Sequence, residues 1–149
     1  MKSIIDHEYY DNGQMKSEKR YGRGDLESEI QYYKNGNVSI EISWGQGVEA
    51  WTCFYENGQK KAKGQCGSRG PIARHIHWYE NGQIASEYRY SERGNLEGRV
   101  YEWYENGQKK MEGYYWYNHK KGLWTWWDEE GNVIRTKTYL RWLKIFVGY

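Results

Sequence analysis

The feature that most constrains this chain is an Asn-Gly dipeptide that returns at nearly constant intervals. Its glycine lies at Gly13, Gly36, Gly58, Gly82 and Gly107, and Gly131 continues the series after Glu130. Successive glycines are 22 to 25 residues apart, so six copies of one unit fill nearly the whole chain. A period of this size is typical of a repeat protein in which each unit contacts mainly its neighbours. Such scaffolds usually bind other molecules rather than transform them.

Each unit reads as a β-hairpin. An aromatic-rich segment such as residues 75–79 precedes the Asn-Gly pair, and an alternating segment such as residues 38–44 follows it. Alternation with a period of two indicates a strand, and two strands around Asn-Gly form a strong short-range signal for a hairpin. Glycine-containing segments such as residues 45–47 and 67–70 link one hairpin to the next. The sequence therefore predicts an all-β protein with one antiparallel meander sheet of about six repeated hairpins.

The length of the turn decides which side chains share a face. A three-residue loop, Glu-Asn-Gly, would place Trp78 opposite Ile84 and Ile76 opposite Ser86, with the glycine in a left-handed conformation that forms a bulge. Because a slip of one residue exchanges the two faces, burial of apolar residues favours this loop. The predicted apolar face contains Tyr9, Tyr32, Phe54, Trp78, Trp103 and Trp127 before the turns, with Met15, Val38, Ile40, Ile42, Trp44, Ile84, Tyr90, Met111, Tyr115, Val133 and Tyr139.

The opposite face is predicted to carry a row of tyrosines beside lysine and glutamate side chains. The row consists of Tyr10, Tyr33, Tyr55, Tyr79 and Tyr104, and Asp128 ends it in the last repeat. Tyrosine and tryptophan are enriched among the residues that dominate the binding energy of protein interfaces. We therefore predict that Tyr33, Tyr55, Tyr79 and Tyr104 contact a partner.

A tryptophan-rich cluster marks the last two repeats. It contains Trp116, Trp124, Trp126 and Trp127 beside Tyr114, Tyr115 and Tyr117. Two interpretations are open: these rings pack the end of the array against the C-terminal segment, or they form a recognition surface. Strand alternation predicts that Trp124 and Trp126 lie on the face opposite Trp127. Trp124 and Trp126 complete the predicted set of partner-binding residues.

The sequence divides into a repeat region and a terminal segment. Residues 1–139 are predicted to form the six hairpin repeats, and residues 140–149 are predicted to cap them. The terminal segment is the most aliphatic stretch of the chain, and repeat arrays need caps at their ends. We expect it to form a last strand or a short helix against the array, or alternatively to dock a partner or a second copy.

Charge and hydropathy narrow the range of partners. The net charge of +2 is too small for a protein that binds nucleic acid electrostatically. Basic pairs such as Lys60 and Lys61 are expected to be solvated positions that keep the strands soluble. The sequence lacks the stretch of about 20 apolar residues that a membrane span requires, and its first residues do not resemble a signal peptide. We therefore expect a cytoplasmic location.

The residues that most often carry chemistry do not form a recognisable catalytic or metal-binding set. His75 and His77 would share one face of a strand, but further ligands at a matching spacing are missing, so we expect both to be exposed strand histidines. Cys53 and Cys66 are predicted to lie on opposite faces, which argues against a disulfide. A cysteine nucleophile would also need an adjacent base. The sequence predicts no catalytic residue, no metal site, no cofactor and no enzymatic activity.

The repeated motif, Trp/Tyr-Tyr-Glu-Asn-Gly-Gln followed by an alternating strand and a glycine turn, resembles the MORN repeat family, and most closely its divergent bacterial variant. The resemblance covers about residues 4–139, and Gly98 and Gly122 match the glycine that opens a unit in this family. The first four repeats have Ile4, Glu27, Glu49 and Ala73 at that position. The resemblance implies an elongated, curved antiparallel sheet of hairpins.

The resemblance also suggests what the protein does. Bacterial proteins with this variant are often described as antitoxins or immunity proteins, and other MORN proteins are scaffolds, some credited with phospholipid binding. We expect a non-enzymatic protein that binds another protein, in the sharpest form a cognate toxin that it neutralises. The alternative is a scaffold in a protein assembly or at a membrane surface, where Lys60, Lys61, Lys109 and Lys110 would meet anionic lipid. A sheet that binds carbohydrate through tryptophan rows is a third hypothesis, and the oligomeric state is left open.

Overall fold

The computed structural model describes residues 4–140, which form one sheet of twelve antiparallel strands. The order of the strands in the sheet is their order in the chain, so every strand pairs with its sequence neighbours. The strands are β1 (Ile4–Tyr9), β2 (Met15–Gly22), β3 (Asp25–Tyr32), β4 (Val38–Gly45), β5 (Val48–Phe54), β6 (Lys60–Gly67), β7 (Gly70–Trp78), β8 (Ile84–Tyr90), β9 (Gly98–Trp103), β10 (Lys109–Trp116), β11 (His119–Trp127) and β12 (Val133–Tyr139). The predicted all-β antiparallel meander is confirmed. Of the predicted capping segment, residues 141–149 lie outside the described residues.

The described residues contain no helix, and therefore none that is long and apolar enough to span a membrane.

The Asn-Gly turns have the predicted three-residue loop. In the fourth hairpin the Gly82 N–H donates to the Tyr79 carbonyl oxygen at 2.9 Å, and the Tyr79 N–H donates to the Gln83 carbonyl oxygen at 2.8 Å. Gly82 has a φ of 86°, the left-handed conformation that glycine adopts without steric penalty. The same two hydrogen bonds recur at all six turns. Such loops combine a tight turn with a glycine bulge, which matches the twist of the flanking strands.

A second bulge, one residue pair beyond the turn, corrects the predicted register. Trp78 lies opposite Ile84 as predicted, but His77 lies opposite Ser86 because Ala85 is an extra residue in β8. Ile76 therefore faces Glu87, not Ser86. The extra residue always stands three positions after the turn glycine: Lys16, Ser39, Lys61, Ala85, Lys110 and Ile134.

This second bulge also shows that the predicted single apolar face is wrong. Side chains alternate between the two faces along a strand, so one extra residue moves every later side chain of that strand to the other face. The aromatic residues before the turns, such as Trp78, therefore lie on one face, whereas Ile40, Ile42 and Met111 lie on the other. The same shift corrects the predicted placement of the cysteines. Cys53 lies opposite Ala62, which shares its face with Cys66, and both thiols are free.

The two faces differ in character, and we name them by their residues. The core face carries the buried cluster Val100, Met111 and Trp124, against which Tyr88, Tyr115, Trp126 and Tyr139 pack. The groove face carries two shallow depressions, the larger one lined by Glu41, Thr52, Lys63 and Arg74 and the smaller one by Tyr101, Glu112, Tyr114 and Leu123. Because the sheet is a single layer, few side chains are fully buried and the core is thin.

Glycines on the core face make room for rings from the next strand. A Cβ atom on Gly113 would overlap the indole ring of Trp124, and a Cβ atom on Gly64 would lie 2.6 Å from Cε1 of His75. Opposite each of these glycines the partner strand bulges, through residues 73–75 and residues 122–124. Ala73 begins the first of these bulges in a left-handed conformation, as Gly122 does in the second.

Candidate protein-binding surface

The predicted tyrosine row is a hydrogen-bonded ladder that joins successive repeats. The hydroxyl of Tyr79 donates to the backbone carbonyl oxygen of Trp103 at 2.7 Å, and that of Tyr104 donates to the carbonyl oxygen of Trp127 at 2.8 Å. The same bond runs from Tyr10 to Tyr32, from Tyr33 to Phe54 and from Tyr55 to Trp78. Each tyrosine thus binds the carbonyl group that precedes the turn of the next hairpin.

Burial favours the protonated hydroxyl group at two tyrosines of the ladder, Tyr55 and Tyr79. Burial, with a smaller contribution from neighbouring glutamates, raises the pKa of Tyr55 and of Tyr79 above its usual value. Lysines from the second bulge cover the rings, with the Lys61 Nζ 5.4 Å from the Tyr55 ring centre and the Lys110 Nζ 5.5 Å from that of Tyr104. The hydroxyl groups are therefore engaged within the sheet. That Tyr33, Tyr55, Tyr79 and Tyr104 contact a partner stays a prediction.

Four of the turn asparagines form a second ladder, which was not predicted from the sequence. Asn81 accepts a hydrogen bond from the Gln83 backbone N–H at 2.9 Å, and its side-chain amide donates to the Glu105 carbonyl oxygen at 2.8 Å. Asn35, Asn57 and Asn106 make the equivalent pair of bonds. One side chain thus closes its own turn and binds the next. The signal in the sequence was the recurrence of asparagine itself, which many hairpin turns do not require.

Both ladders end at the last turn. Asp128 replaces the tyrosine and Glu130 replaces the asparagine, so neither inter-repeat donor is present there. The Asp128 carboxylate instead accepts hydrogen bonds from the backbone N–H and the side-chain amide of Asn132, at 2.7 and 3.1 Å. The backbone hydrogen bond from Asn132 is the main cause that lowers the pKa of Asp128. The last turn is therefore closed internally and has no donor of either kind for a further repeat.

The two predicted tryptophan contacts occupy different environments. Both lie on the core face, opposite Trp127, as strand alternation predicts. Trp124 is only 1% exposed, stacks on Trp126 and meets the Tyr115 ring edge-on at a centroid distance of 5.1 Å. Its burial leaves no ring surface for a partner, which corrects its assignment to a binding surface. Trp126 is partly buried, and the Arg135 guanidinium lies 5.1 Å from its ring centre.

Several exposed apolar side chains lie together on the other face of the same repeats. We call Tyr101, Tyr114, Trp116, Tyr117 and Leu123 the terminal aromatic patch. Trp116 is 45% exposed and Leu123 is 60% exposed. Four of the five residues line the smaller depression of the groove face, with a volume of about 480 Å³, and Tyr117 packs edge-on against Trp116. Tyr114, Trp116 and Tyr117 belong to the tryptophan-rich cluster seen in the sequence but not to the predicted partner-binding set, because the face that each side chain takes depends on the second bulge.

The rim of the terminal aromatic patch is charged. Arg99, Glu112 and Lys121 line the same depression, and the Lys121 Nζ lies 5.5 Å from the Trp116 ring centre. Glu112 binds the Lys109 Nζ at 2.7 Å. The larger depression, about 520 Å³, carries the charged side chains of Glu41, Lys63 and Arg74, and Arg74 forms an ion pair with Glu87. An apolar centre with a charged rim is the usual anatomy of a protein interface.

The surroundings of His75, His77 and Cys53 indicate structural rather than chemical roles. His75 is buried between the rings of Trp51 and Tyr90, and its Nε2 lies 2.9 Å from the Gln65 carbonyl oxygen. The expectation of exposure is therefore wrong for His75, whereas His77 is exposed as expected. Burial, and to a lesser extent His75, lowers the pKa of His77, and burial raises the pKa of the Cys53 thiol. A thiol with a raised pKa is a poor nucleophile. Among residues 4–140 no three His, Cys, Asp or Glu side chains are arranged to hold a metal ion.

Two solved structures show a weak likeness to this chain. One is an S. aureus TarM mutant in complex with fondaparinux, alpha-GlcNAc-glycerol and UDP, with 7% identity and a TM-score of 0.39 over 78% of this chain and 21% of the TarM chain. This chain thus spans about a fifth of the length of TarM. The other is a protein of unknown function from Bacteroides fragilis, with 9% identity and a TM-score of 0.21 over 93% of this chain and 92% of that one. Scores this low carry no inference about function.

Comparison of the sequence with protein families identifies a relationship more clearly than the solved structures do. No protein with a curated description matches it. The sequence model of the family described as MORN repeat variant matches residues 8–21, 74–92, 96–117 and 120–140, which together make up just over half of the chain. The matched segments include the ladder residues Tyr10, Tyr79 and Tyr104 and their turns. The protein therefore belongs to the MORN repeat variant family.

Proposed function

We propose that this protein is a non-enzymatic repeat protein that binds another protein through its groove face. The observation that carries the proposal is the exposure of the terminal aromatic patch, where Trp116 and Leu123 stand open beside Tyr101 and Tyr114. Large exposed apolar patches with polar rims are typical of interaction sites. Tryptophan and tyrosine are also the side chains that most often dominate interface energy.

The scaffold supports this proposal because it is organised before binding. Two ladders of hydrogen bonds fix each hairpin to the next along the turn edge of the sheet. A surface that is already ordered loses less conformational entropy when it binds, so more of the contact energy appears as affinity. The charged rim of Arg99, Glu112 and Lys121 would contribute mainly to the choice of partner and to the rate of association.

The sharper form of the proposal is that the partner is a toxin and that this protein is its antitoxin or immunity protein. Support comes from membership of the MORN repeat variant family together with the resemblance to bacterial members described in this way. The protein would bind over the active site of the toxin and block it without chemistry of its own. In this proposal it acts in the cytoplasm, where Cys53 and Cys66 would remain reduced.

The proposal is tested by isolating the full chain from its native cells and identifying what co-purifies at moderate salt. We expect one stoichiometric protein whose own activity is inhibited in the complex. The variant Trp116→Ala with Leu123→Ala should weaken binding of that protein by about tenfold or more, because it removes the exposed centre of the patch. Ile84→Ala, which removes an exposed apolar side chain outside the patch, is the matched control.

The co-purification experiment also distinguishes the proposed function from its alternative, a scaffold at a membrane surface or in a protein assembly. A stoichiometric partner that is bound equally well by the patch variant would refute the groove-face site. Flotation with vesicles of anionic lipid tests the membrane alternative. The lysines that would bind lipid are partly neutralised, since Lys109 is paired with Glu112 at 2.7 Å. Salt-sensitive binding to the vesicles would favour that alternative.

A further inference from the structure

Among residues 4–140, the first and last strands of the sheet are open edges. Within residues 4–140, β1 pairs only with β2, and β12 pairs only with β11. Apolar side chains stand exposed on both, with Ile4 and Ile134 each 63% exposed. An edge strand presents unpaired N–H and C=O groups that can accept another strand. Each end of the array is therefore a place where a strand from another chain can add.

The two edges carry opposite charges. Strand β1 contains Asp6 and Glu8, whereas β12 contains Arg135 and Lys137 and no acidic residue. No carboxylate among residues 4–140 forms an ion pair with either basic side chain of β12. The two basic side chains lie over rings instead, with the Lys137 Nζ 4.8 Å from the centre of the Tyr139 ring. The positive charges of β12 therefore complement the negative charges of β1.

The junctions between successive hairpins follow one rule of register. At each junction, the residue four positions after a turn glycine lies opposite a residue of the following strand. That second residue directly precedes the aromatic residue at the end of its strand. The five recorded pairs are Ser17 with Gln31, Ile40 with Cys53, Ala62 with His77, Ser86 with Glu102, and Met111 with Trp126. Applied to β12 and β1, the rule pairs Arg135, four residues after Gly131, with Glu8, which precedes Tyr9.

We infer that the protein associates head to tail, with β12 of one copy pairing antiparallel with β1 of a second copy in the register that continues the repeat. Arg135 then lies opposite Glu8, and Lys137 lies opposite Asp6. Tyr139 falls opposite Ile4, which covers apolar surface at the end of the strand. All these pairs stand on the core face, so the sheet continues from one copy to the next.

A pair of opposite charges at the same register position already occurs inside the chain. At the first junction, Lys19 lies opposite Glu29, at the position that Lys137 and Asp6 would occupy between copies. Glu8 also lies within 3.5 Å of Lys16 and Lys19, but its side chain is about half exposed and can accept a further donor. In strand addition the backbone hydrogen bonds supply the affinity, and opposed charges select the register.

Charge also favours a second copy over the chain's own terminal residues as the occupant of the β12 edge. Residues 141–149 contain Arg141 and Lys144 and no acidic residue, so they would meet Arg135 and Lys137 with like charge. The contact is heterologous, so it leads to open arrays rather than to a closed dimer. Because Asp128 and Glu130 end both ladders, the junction between copies lacks the ladder bonds, and association should be weaker than the internal junctions and reversible.

Sedimentation equilibrium of the full chain over a range of concentrations tests the inference. We expect the average mass to rise with concentration to at least twice the monomer mass of 18.0 kDa, and to fall as salt is added. Arg135→Glu with Lys137→Glu should remain monomeric, and so should Asp6→Lys with Glu8→Lys. A mixture of these two variants should associate again, because each then offers an edge that matches the other. Circular dichroism verifies that both variants fold.

The controls make the test specific to the two edges. Lys60→Glu with Arg93→Glu makes the same change of charge at exposed positions outside β1 and β12 and should associate as the native chain does. A chain that is monomeric at every concentration overturns the inference. So does association that both edge variants retain, since it would use another surface. Failure of the mixture to associate, with both variants folded, would show that the opposed charges do not set the register.

Discussion

At the scale of the residue, one side chain often serves two repeats. Tyr79 belongs to the fourth hairpin but donates its hydroxyl to the backbone of the fifth, and Asn81 closes its own turn while it binds Glu105. Both acceptors in the neighbouring repeat are backbone carbonyl groups. A bond to the backbone constrains the position of the neighbour without constraining its sequence. The acceptor carbonyl group can therefore belong to different residue types: Tyr32, Phe54 or Trp78.

The first prediction concerns the hydroxyl of the ladder. Tyr79→Phe should lower the free energy of unfolding by about 1 kcal/mol, because the half-buried carbonyl of Trp103 loses its donor. Chemical denaturation measures the change. Tyr117→Phe, at a ring that is 45% exposed, is the control and should change stability little. Equal stability of the native chain and Tyr79→Phe would mean that the ladder bond contributes nothing net.

At the scale of the element, the hairpin was predicted only in part. Asn-Gly and the burial argument led to the three-residue loop, which the hydrogen bonds at every turn confirm. The second bulge could not be predicted in this way. Its extra residues are as different as Lys16, Ser39, Ala85 and Ile134, so no side-chain property marks it and it is a property of the backbone path.

The candidate site was also predicted only in part, because the second bulge could not be predicted from the sequence. Tyrosine and tryptophan were recognised as binding side chains from composition and spacing, but their exposure depends on which face each one takes. Without the second bulge, the predicted apolar face combined residues that the sheet separates, such as Trp103 and Met111. The burial of Trp124 depends on the absence of a side chain at Gly113, eleven residues earlier and on the neighbouring strand. Such a contact between strands has no local signal.

The second prediction concerns that contact. Gly113→Ala should destabilise the protein by about 1–3 kcal/mol, because the added methyl group would overlap the Trp124 ring in a packed core. Thermal or chemical unfolding gives the size of the effect, and the fluorescence of the tryptophans reports the displaced ring. Gly45→Ala, where a Cβ atom would meet nothing within 4 Å, is the matched control. Similar losses in the two variants would contradict the prediction, because replacing glycine by alanine restricts the unfolded chain and without an overlap should not destabilise the protein.

At the scale of the whole molecule, stability is distributed unevenly along the sheet. The buried cluster of Val100, Met111 and Trp124 lies in β9, β10 and β11, whereas all six residues of β1 are exposed. In a linear array each repeat is held mainly by its neighbours, so local opening is governed by local burial. The first hairpin should therefore open more readily than the fifth.

Hydrogen exchange tests this third prediction. The amides of β10 and β11 should exchange far more slowly than those of β1 and β2, since opening near Trp124 exposes the core while opening of β1 exposes little that is buried. The comparison should be made at low protein concentration, where association through the edges is least. Uniform protection from β2 to β11 would instead show that the sheet unfolds as one cooperative unit.

The ladders have a consequence for how such a chain can change in length. Every internal unit brings its own tyrosine and asparagine donors and offers only backbone carbonyl groups to the unit before it. Duplication or loss of a complete unit therefore leaves each remaining donor with an acceptor, whatever the intervening side chains are. Recombination between repeats can thus lengthen or shorten the sheet without loss of a ladder bond, while Asp128 and Glu130 remain in the last unit and end the series.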